Sequence, residues 1–161
     1  MAETKKEAEK DMSAEYAKLK AKYGLPDLTE LDKEFAVGNL DPTTFVLRNI
    51  MGKMHERIDF MMKMLGDLIQ PESHIADMRE AEIFTDEEKK GIYELFKRVV
   101  WYEREFIIKD FDYSDEHAAA LILLFWKDWR VLKSDFLRVL LKMKESWGKD
   151  SSSKEEFGYF G

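Results

Sequence analysis

Apolar residues that recur at steps of three and four run through three long segments of the chain and constrain its fold more than any other feature. Such spacing lines up one apolar stripe along an α-helix. The segments cover residues 47–69, 92–107 and 122–147. The three prolines all lie outside these segments, as expected where proline marks helix boundaries. The sequence therefore predicts an all-α protein.

Helix start signals stand ahead of each long segment. Asp41 followed by Pro42 favours a helix start, because aspartate caps the first amides and proline needs no donor there. Thr85 and Glu88 have the spacing of a capping box, in which each residue accepts a hydrogen bond from the other's backbone amide. Ser114 can cap the third helix. These signals predict where the three helices begin.

The remaining segments complete the predicted architecture. Residues 2–23 are rich in Lys, Glu and Ala and carry a thin apolar stripe, which indicates a further helix, and a short helix follows through about residue 37. We expect an antiparallel bundle of three to four helices with a short extra helix and flexible termini. Residues 11–147 form this bundle domain, flanked by flexible segments at 1–10 and 148–161.

The composition excludes several classes of protein. With 45% hydrophobic and 37% charged residues, the chain is too apolar for a disordered protein and too charged for a bilayer. Its first residues lack the apolar core of a signal peptide, so a cytoplasmic location is expected. The absence of cysteine excludes disulfides and thiolate metal sites. Few Asn and Gln beside abundant Glu and Lys predict a thermophilic source.

One segment of the last helix is apolar all the way round. Residues 118–126 contain no polar side chain, so the bundle covers them on both sides or a second chain does. We take Leu121, Leu123 and Leu124 as candidates for a homodimer surface. Met64 joins them, because it lies off the apolar stripe of its own methionine-rich helix.

Two further surfaces are candidates for binding a partner. Aromatic residues in a polar tail gain nothing unless they are buried, so the tail docks on a protein partner or packs on the bundle, unless its aromatic residues are tolerated without consequence. These tail residues are Phe157, Tyr159 and Phe160. The second surface is a basic stripe on the last helix, formed by Lys127, Arg130, Arg138 and Lys142. It is suited to an acidic partner or a polyanion, although a net charge of −7 opposes nucleic acid binding.

Polar residues near the apolar stripes give a weaker signal for a metal or ligand site. His55, Glu56 and Asp59 resemble the His-Glu-x-x-His zinc helix, with Asp59 in place of the second histidine. An ordinary polar helix edge explains the same residues. Glu103 falls in line with the stripe between Val99 and Phe106, which predicts partial burial. An ion pair is the simpler explanation of such a glutamate.

These patterns favour a non-enzymatic helical interaction or assembly protein that self-associates and binds a protein partner. No residue is assigned as catalytic and no cofactor or metal is assigned, because the familiar catalytic and phosphate-binding motifs are absent. One alternative is a metal- or small-ligand-binding bundle, including an enzyme without a recognised motif, built on His55, Glu56, Asp59 and Glu103. Another is a weak nucleic-acid or polyanion binder that uses the last helix.

Overall fold

Six α-helices and one 3₁₀ turn make up the part of the chain that the computed structural model describes, residues 2–39, 45–71 and 74–149, with side chains described for 12–38, 45–71 and 74–148. The all-α prediction is confirmed, since these ranges contain no strand. The predicted helix count is not exactly matched, because two short helices accompany four longer ones. In chain order they are α1 Ala2–Tyr23, α2 Leu28–Phe35, the 3₁₀ turn Val37–Asn39, α3 Val46–Ile69, α4 Ile75–Glu82, α5 Asp86–Phe111 and α6 Asp115–Lys149.

The caps predicted for α5 and α6 are present. The backbone amide of Thr85 donates to Glu88 Oε2 at 2.8 Å, and the amide of Glu88 donates to Thr85 Oγ1 at 3.3 Å. Ser114 Oγ accepts from the backbone amide of His117 at 3.1 Å. Each bond satisfies an amide at a helix start that has no partner inside the helix. Local sequence therefore fixes where both helices begin.

The core lies between α3, α5 and α6, and the contacts between these helices give their directions. Arg98 on α5 pairs with Asp135 on α6. Tyr102, one turn later on α5, bonds Asp128, which lies earlier on α6, so residue numbers increase in opposite directions along the two helices. Helix α5 therefore runs antiparallel to α6. The buried side chains follow the steps of three and four seen in the sequence. Those with no exposed surface on these helices include Leu47, Ile50, Met54, Ile58, Leu65, Val99, Ile122, Phe125 and Leu132.

The short helix α2 packs against the middle of α6 through an aromatic contact and an ion pair. The buried ring of Phe35 lies 4.9 Å from the ring of Trp129. Trp129 Nε1 donates to Glu34 Oε2 at 2.8 Å, and Lys133 Nζ donates to the same oxygen at 2.6 Å. Ala36 ends α2 with a φ of +55°, the left-handed conformation common at helix ends. These contacts place α2 against α6 at the buried rings of Phe125 and Trp129.

The predicted boundaries of the flexible segments are tested only in part. Helix α1 begins at Ala2, and flexibility of residues 1–10 stays a prediction. Residues 150–161, with the aromatic tail candidates, lie outside the described residues, as does the start signal at residues 41–42. The binding role of the tail therefore stays a prediction.

Candidate functional site

A groove with a volume of about 920 Å³ lies between α2 and α6. One wall is α2, held in place by Phe35, and the other is the outer side of α6. The packing of Trp129 against Phe35 brings the two walls together. The groove is lined by Glu30, Lys33, Glu34, Trp126, Lys127, Trp129, Arg130, Lys133, Ser134, Leu137, Arg138 and Leu141.

Cations outnumber carboxylates in this groove by five to two. Burial by itself raises the pKa of Glu34. Hydrogen bonds from Lys133 and Trp129 together lower the pKa by more than burial raises it, so the pKa of Glu34 lies below its ordinary value. Glu34 therefore stays ionised and neutralises Lys133. By contrast, Lys127 and Arg130 make no ion pair with any residue in the described ranges. The groove keeps a positive charge that its own carboxylates do not balance.

Apolar side chains are exposed in the same groove. Leu137 and Leu141 lie one turn apart on α6 and have 45% and 56% of their surface exposed. Trp126 is half-buried, and its ring lies 6.3 Å from that of Phe35. Exposed leucines beside unbalanced cations form a surface that is itself amphipathic. Such a surface complements a segment with an apolar side and acidic flanks.

The structure separates the predicted basic stripe into two parts. Lys127, Arg130 and Arg138 line the groove, and Lys142 does not. Lys142 instead donates to Glu88 on α5, and its ammonium lies 5.2 Å from the ring centre of Phe84. Two hydrogen bonds lower the pKa of Glu88 to about 2. The larger effect comes from Lys142 and the smaller from the backbone amide of Thr85. Lys142 therefore joins α6 to α5 outside the groove, and its predicted binding role stays a prediction.

The apolar segment 118–126 is also divided by the packing. Leu121 is buried, with 3% of its surface exposed, because it faces the core beside Ile122 and Phe125. Leu123 and Leu124 are exposed at 37% and 42%. Met64 is half-buried and packs against the core. The candidate dimer surface is therefore reduced to Leu123 and Leu124, since the other two side chains are used inside the chain.

The polar residues predicted near the core come together between α3 and α5. One donor atom from each of His55, Asp59 and Glu103 lies within 4.8 Å of the others, and His55 Nε2 is 3.3 Å from Asp59 Oδ1. Glu56 does not join them, since its carboxylate accepts from Lys53 Nζ at 2.7 Å. Three of the four candidates therefore form one cluster, defined here as the polar cluster.

Sequence reasoning missed the α2 side of the groove. Lys33 and Glu34 on α2 contribute charge there, as does Lys133 opposite them on α6, but their types and spacing are ordinary for exposed helix positions. The ion pair of Glu34 with Lys133 spans 99 positions of the chain. No local pattern signals a contact at that separation, because it depends on how α2 packs against α6.

Comparison with known proteins gives no information about the function of this chain. No family model, curated protein or solved structure matches the chain. None of the described helices combines the length and the apolar character needed to span a bilayer. The function has to be argued from the groove and the polar cluster themselves.

Proposed function

We propose that the chain is a non-enzymatic helical interaction protein that binds an acidic, amphipathic helix of a protein partner in the α2–α6 groove. The observation that carries this proposal is one open groove in which half-exposed Leu137 and Leu141 lie beside Lys127 and Arg130, two cations without an ion pair among the described residues. Helix-in-groove recognition uses apolar anchors at steps of three and four, with charged flanks that set orientation and partner choice.

The two kinds of contact have different roles in this proposal. Covering a leucine that is half exposed contributes on the order of 1 kcal/mol from the apolar surface removed from water. Lys127 and Arg130 attract acidic flanks over a longer range, which raises the association rate and makes binding sensitive to salt. The anchors thus supply affinity, while the cations select an acidic partner.

Two other occupants fit the groove less well. A second copy of the same groove would bring like charges together, which costs binding energy. A nucleic acid would meet Glu30 and Glu34 in the groove and a protein of net charge −7, and Trp129 is buried rather than free to stack on a base. An acidic helix satisfies both the cations and the leucines.

A pair of synthetic peptides tests the groove. The probe is an acidic helical peptide with leucines on one side, and its control has the same composition with the leucines scattered. We expect the probe to bind at least about tenfold more tightly in fluorescence anisotropy, with affinity falling as salt rises. Arg130→Glu should weaken the probe at least about tenfold, whereas Lys97→Glu on α5, outside the groove, should have little effect.

The outcomes of this experiment separate the rival occupants. Equal binding of the two peptides, or equal effects of Arg130→Glu and Lys97→Glu, would contradict a specific groove and leave only attraction by net charge. A single-stranded oligonucleotide that binds more tightly than the probe, and loses affinity in Arg130→Glu, would replace the acidic helix by a polyanion. If the chain forms a dimer that Arg130→Glu abolishes, the occupant of the groove is a second copy of this chain and not an acidic helix.

We further propose that the chain self-associates through the exposed pair Leu123 and Leu124. Trp101 on α5 is also exposed, over 50% of its surface. Its ring lies 5.0 Å from that of Tyr102, whose hydroxyl donates to Asp128 Oδ2 at 2.6 Å and lies 3.5 Å from the carbonyl oxygen of Leu124. Neighbouring exposed apolar side chains on two helices are the kind of patch that a second chain covers.

The double variant Leu123→Glu with Leu124→Glu is expected to be a folded monomer under conditions where the unmodified chain is a dimer. Sedimentation velocity gives the mass, and circular dichroism checks the fold. The matched control, Leu137→Glu with Leu141→Glu, introduces the same charges on α6 and should leave the dimer intact. A chain that is monomeric without any substitution, or a double variant that stays dimeric, would rule out this surface.

A further inference from the structure

We infer that the polar cluster of His55, Asp59 and Glu103 binds a divalent transition-metal ion, with Zn²⁺ the best match to its donor atoms. One imidazole nitrogen and two carboxylates are common zinc ligands. His55 and Asp59 are four residues apart on α3 and share one side of that helix. Packing of α5 against α3 adds Glu103 from the facing helix. The site is separate from the groove, which lies between α2 and α6.

The distances within the polar cluster fit an ion after a small adjustment. Zinc–nitrogen and zinc–oxygen bonds of about 2.0–2.2 Å place tetrahedral ligand atoms roughly 3.4 Å apart. His55 Nε2 and Asp59 Oδ1 already lie 3.3 Å apart. The donor atom of Glu103 lies within 4.8 Å of both, a gap that a glutamate side chain closes by rotating about its own bonds.

A second observation supports an ion at this position. Glu103 is buried, with 6% of its surface exposed, and its Oε2 accepts no hydrogen bond from any described residue. His55 Nε2 is also buried without a hydrogen bond among the described residues. Buried polar atoms in folded proteins nearly always have a partner, because leaving them without one costs free energy. Both unsatisfied atoms belong to the polar cluster, and one metal ion would satisfy both.

Arg104 is the cation that competes for this site. Its Nη1 donates to Glu103 Oε1 at 3.1 Å and lies 2.9 Å from Oε2 without a hydrogen bond to it. The Arg104 side chain is 65% exposed, so it can turn into solvent at little cost when an ion binds. With two carboxylates and one arginine, the surroundings of the site favour a cation.

The polar cluster is open to solvent at Asp59, whose side chain is 54% exposed, and His55 also borders open space. A cavity of about 220 Å³ lies there, lined in part by Met51, Gly52 and Phe106. The Phe106 ring stacks on the imidazole at 5.5 Å and holds its orientation. Gly52 is one turn before His55, and nothing lies within 4 Å of the position a Cβ would take. The exposed side of Asp59 leaves room for water or a small anion as the fourth ligand of the ion.

Metal titration of the whole chain tests this site. After dialysis against a chelator, the protein is titrated with Zn²⁺ in competition with a chromophoric chelator, and with Co²⁺ to follow the visible absorption of the bound ion. We expect one ion per chain. His55→Ala and Glu103→Gln should each weaken binding at least about tenfold, and His74→Ala, which removes an exposed histidine outside the cluster, should not.

Arg104→Gln separates the metal site from a purely structural ion pair. Removing the competing cation should tighten Zn²⁺ binding several-fold if Glu103 is a ligand. Zn²⁺ binding that His55→Ala and Glu103→Gln leave unchanged, or the absence of saturable binding at one ion per chain, would overturn the inference. Binding lost in His74→Ala would do the same by placing the ion elsewhere.

Discussion

Replacing Phe125 by alanine is expected to lower the free energy of unfolding by about 3–5 kcal/mol. The Phe125 side chain has no exposed surface. Its ring centre lies 5.9 Å from that of Phe35, 5.0 Å from Tyr102, 5.2 Å from Phe106 and 5.5 Å from Trp129. One phenyl ring therefore joins α2, α5 and α6. Its removal loses both the apolar surface and the contacts around the cavity left behind.

Urea unfolding of Phe125→Ala measures this loss, and the preceding residue provides the control. Leu124 is 42% exposed, so Leu124→Ala should cost less than about 1 kcal/mol. Equal losses in the two variants would contradict the central role of the Phe125 ring. Since Phe35 fixes α2 against this ring, Phe125→Ala should also weaken peptide binding in the groove at temperatures where the chain is still folded.

The helices follow from the sequence because their signals are local. A capping box needs only Thr85 and Glu88 at the right spacing, and both hydrogen bonds are found. The steps of three and four in residues 122–147 likewise match the buried positions Ile122, Phe125, Trp129 and Leu132. These features depend on residues within a turn or two of one another.

The groove could not be predicted in the same way, because it depends on which helices pack together. Lys142 and Arg138 are both basic residues of α6, yet Lys142 reaches Glu88 on α5 whereas Arg138 lines the groove. Leu121 and Leu123 are equally apolar, and only the position of the other helices decides that Leu121 is buried. Pattern gives the composition of a helix surface, and packing decides which part of it stays exposed.

The polar cluster is an intermediate case. The stripe between Val99 and Phe106 predicted that Glu103 is partly buried, and the structure leaves only 6% of its surface exposed. The spacing of His55 and Asp59 predicted that they share one side of a helix. What the sequence could not supply is the register between α3 and α5, which brings Glu103 to the other two residues. That register is set by the whole core.

Glu103→Leu is expected to raise the free energy of unfolding by about 1–3 kcal/mol when no metal is present. Glu103 is buried, while its ion-pair partner Arg104 is 65% exposed, so the attraction between them is screened by water and repays little of the cost of burying the carboxylate. Leucine has a similar volume and continues the apolar stripe. Urea unfolding in the presence of a chelator measures the gain.

Glu105→Leu is the matched control, because Glu105 lies on another side of α5 and should change stability by less than about 0.5 kcal/mol. A loss of stability in Glu103→Leu would mean that the pair with Arg104 contributes to folding and would weaken the case for a metal ligand. A gain in stability together with a loss of Zn²⁺ binding would support Glu103 as a metal ligand that does not stabilise the fold. A buried carboxylate that costs folding energy and is required for an ion to bind is maintained for binding, not for the fold.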